Sequence, residues 1–235
     1  MRRGRSMGPP PAVRAIAVVC GLLCAPPLSL GAETSCPGDA GLRVRSESAA
    51  DADLACQGAR RAIDFLATLG LSIPENVAVD VVSDLPPPAS PNAFGCHVRG
   101  EQRVAILSYE RCVALGTKEL IVDAALYRSL VAHEVAHRVA EANFSVAEPT
   151  LVAQEYIAYV TLFATLPPAE RERLLAAFPG SGFGSAREMS AVYYGLSPNG
   201  FGAQAYRHFL KPGNGALFVR HILSGQVLTD HETTD

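Results

Sequence analysis

Past residue 32 the sequence has no run of Lys or Arg, which argues against nucleic acid or an anionic membrane surface as a partner. It has no second long apolar stretch, so no membrane span is expected once the first segment is set aside. No C-x-x-C spacing occurs, which speaks against a cysteine-rich zinc site. There is no internal repeat. The one Gly-rich stretch, GSGFGS at 180–185, has no strand before it and no Lys after it. It reads as a flexible linker at the border of a cleft, not as a phosphate-binding loop.

What is present begins with an export signal. Arg2, Arg3, Arg5 and Arg14 make a basic start, and a short apolar run over 15–25 ends at Pro26-Pro27. Ser29, Gly31 and Ala32 then supply the small residues that signal peptidase requires. Cleavage near Ala32 is the expectation, leaving a secreted or periplasmic chain. Residues 1–32 carry four Arg and no acid, so the 20 basic residues fall to 16 against 23 acidic ones, a net charge of −7. About 200 remaining residues suit one domain over 33–235, with a strand-containing half at 33–116 and a helical half at 117–228.

Cys20 and Cys24 would leave with the signal, and Cys36, Cys56, Cys96 and Cys112 would remain. An even number in an exported chain favours two disulfides. The sequential pairs Cys36–Cys56 and Cys96–Cys112 close the shortest loops and are the expected connectivity.

The organisation is α+β. Leu54, Ile63, Leu66 and Leu69 can share one helical face over 47–71, with Gly70 as the stop. VAVDVV from Val77 reads as a strand, the proline-rich 84–92 as a rigid connection, and RVAILSY at 103–109 as a second strand. Helical patterns then cover 118–142, 150–166, 168–178, 186–195, 200–210 and 215–223, separated by Pro or Gly. NFS at Asn143 matches a glycosylation acceptor.

Within the first of those C-terminal helices stands HEVAH. Thr117 is the expected N-cap, and nothing in the run that follows breaks a helix. His133 and His137 are one turn apart on one face, so both imidazoles can aim at a single ion. Glu134 lies about 100° round the helix from His133, beside the ion and not on it. Two ligands at i and i+4 with a base next to them is the spacing metal-assisted hydrolysis needs. Leu126 and Leu130 continue the His stripe into the core.

A catalytic zinc site takes a third protein ligand and leaves a position for water. Glu141 is about 12 Å of helix rise from His133 and is too far along. Glu148 and Glu155 remain. Glu155 is flanked on its helix by Leu151, Val152, Ala158 and Tyr159, and no Lys or Arg occurs between Val139 and Glu170. A carboxylate in such surroundings must be paired, and a metal would do it.

HEVAH followed by QEYIAYV resembles the gluzincin group of zinc metallopeptidases, the thermolysin-like and aminopeptidase-N-like enzymes. The resemblance covers roughly 100–166. It implies a zincin-like fold, one Zn²⁺ held by His133, His137 and Glu155, and Glu134 as general base. It implies a peptide or protein substrate lying antiparallel to RVAILSY. It also implies a downstream Tyr or His for the oxyanion, with Tyr193, Tyr194, Tyr206, His208 and His221 as candidates. Gln154 departs from the group's Asn, and Tyr159 stands where thermolysin-like members carry an Asp that orients the first histidine. The activity expected is zinc-dependent peptide hydrolysis; the alternative is a non-catalytic zincin-fold binding module that keeps its zinc.

Overall fold

The computed structural model describes residues 31–229 except Pro88. The export signal expected at 1–32, apart from its last two residues, lies outside the described residues.

Five strands form one mixed, open sheet: β1 (Glu33–Cys36), β2 (Asp39–Arg45), β3 (Val77–Val82), β4 (Gly95–His97) and β5 (Arg103–Leu107). Their order across the sheet is β1-β2-β3-β5-β4. β2–β3 and β3–β5 are parallel, while β1–β2 and β4–β5 are antiparallel. Side chains alternate between the two faces of each strand. Val79, Val81, Val104 and Ile106 therefore point together into the core, all at most 9% exposed. Asp80 and Arg103 share the other face, where Arg103 donates to Asp80 at 2.7 and 2.8 Å and to Glu33 at 3.0 Å.

Helix α1 (Ala49–Thr68) covers the core face of the sheet, capped by Ser48, whose hydroxyl accepts from the Asp51 N–H. α3 (Ala124–Glu141) packs along α1, and α4 (Leu151–Thr165) packs along α3. α5 (Pro168–Ala177), α6 (Ala191–Leu196), α7 (Pro198–Phe209) and α8 (Gly215–Leu223) complete the helical half. One apolar cluster runs from the sheet through these helices. No helix among the described residues is long and apolar enough to cross a membrane.

Four departures from the sequence reading have physical causes. A short helix, α2 (Tyr109–Leu115), begins directly after β5 because the Ser108 hydroxyl accepts from the Arg111 N–H. The HEVAH helix starts at Ala124, not after Thr117. Thr117 caps a tight turn instead, its hydroxyl accepting from the Leu120 N–H. Asp123 is the stronger cap, one carboxylate oxygen accepting from both Ala125 and Leu126 at 2.9 and 2.8 Å. The pattern at 186–195 divides into a 3-10 turn (Ala186–Glu188) and α6. Asn143 donates to the Ser72 and Val139 carbonyls, so its amide is occupied in tying α3 to the chain after α1.

The Cys36–Cys56 disulfide is present and joins β1 to α1. The second expected pair is not: Cys96 and Cys112 are free thiols. Strand parity separates them. Cys96 pairs with Ala105 in register and so lies on the polar face of the sheet. Cys112 is fully buried on α2, its thiol directed at the Leu107 carbonyl.

Candidate metal centre

α3 carries His133 and His137 and α4 carries Glu155, and the packing of the two helices brings the three side chains together. The two Nε2 atoms are 3.2 Å apart. His133 Nε2 lies 3.5 Å from Glu155 Oε2, and His137 Nε2 lies 3.7 Å from Glu155 Oε1. All three offer ligand atoms within 4.8 Å of one another. A tetrahedral zinc ion with bonds of about 2.0–2.2 Å spaces its ligand atoms roughly 3.3–3.6 Å apart. The donor set therefore fits a divalent ion, in identity as well as spacing.

The polar atoms left over point the same way. Glu155 is 7% exposed, and its Oε2 is buried with no hydrogen-bond donor. Burial pushes its carboxyl up, but the neighbouring His137 and His133, together with the Tyr194 hydroxyl, hold it below the ordinary carboxylate range. Burial also brings His137 down to about 4. For His133 burial acts in the same sense, but the nearby carboxylate of Glu155 outweighs it and raises the group. A half-satisfied buried carboxylate between two imidazoles is costly unless a cation joins them.

Glu134 is 7% exposed and lies outside the three-ligand group. Burial pushes its carboxyl up to about 7. Strand β4 runs directly over it: a Cβ added to Gly95 would stand 2.6 Å from Glu134 Cγ.

The four residues line one cleft of about 920 Å³, walled by β4 and the loop before it, by Leu120 and Leu130, and by Tyr194 to Asn199. Leu126 and Leu130 are buried beneath the histidines. Glu141 is not near the ions' place; it bonds His97 Nε2 at 2.8 Å and the Gly100 N–H at 2.7 Å. Glu148 is exposed and lines a separate hollow.

Of the five downstream candidates, Tyr194 lines the cleft, with its hydroxyl turned to Glu155. Tyr193 packs on Phe183 and Phe201, Tyr206 stacks on Phe163, and His208 bonds the Tyr156 hydroxyl. His221 does not line the cleft. RVAILSY is corrected as a substrate-binding strand, because β5 is interior and bonded on both sides. The free edge beside HEVAH belongs to β4. Sequence reasoning missed β4 and its His97, which also line the cleft. A three-residue strand has too short a pattern to be read, and the only signal was a histidine between two glycine turns.

Residues 42–232 match a family described as "Family of unknown function (DUF6639)". No curated protein and no solved structure matches the chain.

Proposed function

We propose that this chain, which belongs to the DUF6639 family, is an exported, zincin-like zinc metallopeptidase that hydrolyses peptide bonds. The observation that carries the reading is the convergence of His133, His137 and Glu155 with a buried Glu134 beside them that is not a ligand. A zinc held only for structure usually has four protein ligands and has no use for such a base. That favours catalysis over a binding module.

Zinc, when bound by the three residues, would supply a Lewis acid that brings the pKa of its water to about 7 and polarises the scissile carbonyl. Glu134, buried beside the three ligands and not one of them, takes the proton of the attacking water and returns it to the leaving amine. Of the five downstream candidates, Tyr194 is the one in the cleft, and its hydroxyl would have to leave Glu155 to donate to the carbonyl oxygen as it gains charge. The free edge of β4 offers backbone groups to an extended peptide. The Cys36–Cys56 disulfide supports an oxidising, secreted or periplasmic location.

The test is metal analysis of the purified protein followed by incubation with a broad peptide library. One zinc per chain and cleavage products are expected. Stoichiometric zinc with no cleavage of any peptide would leave the binding module as the reading.

A further inference from the structure

We infer that His97 and Glu141 form a clamp that positions strand β4 over Glu134, and so sets the geometry between the edge strand and the base. Its catalytic consequence rests on the peptidase reading; the clamp itself does not.

β4 has three residues and one neighbour, with Gly95, Cys96 and His97 opposite Ile106, Ala105 and Val104 of β5. An edge strand this short opens easily by itself. Alternation turns Gly95 and His97 toward α3 and Cys96 away from it. At one end, Gly95 lies against the base: a Cβ there would stand 2.6 Å from Glu134 Cγ and 2.8 Å from Cδ. At the other end, the His97 side chain is 5% exposed and is bonded to Glu141 at 2.8 Å. Its Nδ1 is 3.3 Å from the Arg103 carbonyl.

Glu141 does a second job with its other oxygen, accepting from the Gly100 N–H in the turn between β4 and β5. One carboxylate on the HEVAH helix therefore holds both the end of the strand and the turn that follows. Arg99 donates to the Ala147 carbonyl, which ties the turn to the loop after α3 but not the strand. Burial pushes the Glu141 carboxyl up, yet the Gly100 and His97 bonds outweigh it and keep it ionised.

The spacing along α3 gives the device its meaning. His133, His137 and Glu141 follow each other at four-residue steps on one face. The first two face Glu155, and the third reaches the strand. Any shift of β4 relative to α3 moves the wall that confines Glu134 and the edge offered to substrate.

Cys96, at the middle of β4, is a built-in reporter, because the other free thiol, Cys112, is fully buried. The experiment compares His97→Ala, Glu141→Ala and His97→Gln with the wild type. It measures zinc content, maleimide labelling of Cys96, amide exchange across 95–97, and kcat and KM on a library-derived peptide. Both alanine variants should keep their zinc, since neither residue is a ligand. Labelling and exchange should rise on the order of tenfold. The ratio kcat/KM should fall roughly ten- to a hundredfold, mainly through kcat, as a misplaced base demands.

His97→Gln, whose amide can still donate to Glu141, should recover most of both effects; this variant also covers the case in which an alanine variant fails to fold. Unchanged labelling and exchange in folded, zinc-loaded variants would overturn the clamp. A freed strand with unchanged kinetics would overturn its positioning role. A wild type that cleaves nothing overturns the peptidase reading and with it that role, and the clamp then stands or falls on labelling and exchange alone.

Discussion

The ring of Tyr159 stands edge-on against the imidazole of His133, with centroids 4.7 Å apart and planes at 79°. His133 Nδ1, buried beside it, has no hydrogen-bond partner. His133 is therefore held in place by ring packing and not by a hydrogen bond to its Nδ1. Gly202 makes room for this: a Cβ there would stand 2.1 Å from Tyr159 Cδ1. Tyr159→Phe should hold zinc as the wild type does. Tyr159→Ala should weaken zinc about tenfold or more and destabilise by about 3–5 kcal/mol. Gly202→Ala should cost about 1–3 kcal/mol by overpacking. Chelator competition and urea unfolding read both; full zinc affinity in a folded Tyr159→Ala would remove the orienting role.

Glu134→Gln separates the base from the ligands. The variant should retain zinc and lose activity by about 10²–10⁴-fold, whereas His133→Ala or His137→Ala should lose both metal and activity. Its stability in metal-free form should not fall, because the amide removes a buried carboxyl that is pushed up to about 7 by burial. Unimpaired turnover by Glu134→Gln would end its assignment as base.

Glu155→Gln should weaken zinc retention strongly, while Glu148→Gln should leave it untouched. Glu155 faces both histidines within 3.7 Å, and Glu148 lies exposed elsewhere. Equilibrium dialysis against zinc distinguishes them. Loss of metal in the Glu148 variant alone would transfer the third ligand to that residue.

His208 gives the fold an acid weakness away from the cleft. It is 4% exposed, and the Tyr156 hydroxyl lies 2.8 Å from its Nδ1. Burial, followed by the charge of Lys211, brings its pKa down to about 4 from 6.5. The unfolded chain takes up the proton first, so this contribution is complete above 6.5 and is lost as pH falls from 6.5 toward 4. The loss should reach about 1–3 kcal/mol, and His208→Gln should flatten that slope. Urea midpoints across this range decide it: parallel pH profiles for variant and wild type would exclude the histidine.

Thiol counting tests the cysteine assignment. In the chain cleaved near Ala32, which has lost Cys20 and Cys24, native protein should show one accessible thiol, Cys96, and denatured protein should show two, the other being Cys112. Reduction of Cys36–Cys56, twenty residues apart, should cost about 3 kcal/mol. Four thiols in the denatured, unreduced chain would refute the bridge.

The convergence of His133, His137 and Glu155 was legible because its information is local. His133 and His137 declare themselves by a four-residue step on one helix, and Glu155 by being a carboxylate among apolar neighbours without a cation nearby. The strands β3 and β5 and the long helix α1 were legible from their periodicity. β1, β2 and β4 were not: β1 and β4 are four and three residues long, and β2 opens on Asp39 and Gly41 and carries only Leu42 and Val44 as large apolar residues. The pairing of β4 with β5 decides which face Cys96 and His97 take, and that parity is a tertiary fact. It is why the Cys96–Cys112 bridge was expected wrongly and the His97–Glu141 contact was not foreseen. The start of α3 was misplaced because Thr117 and Asp123 are both good caps, and the turn between them, which buries Leu120 and Val122, decides.

His133, His137 and Glu155 fall within 23 consecutive residues, on two helices joined by one loop. Gly95 comes well before them and Tyr194 well after. Local contacts form early and distant ones late. The three side chains of the cluster therefore depend on one contact between helices that are neighbours in sequence, whereas the walls of the cleft depend on segments brought in from both ends of the chain.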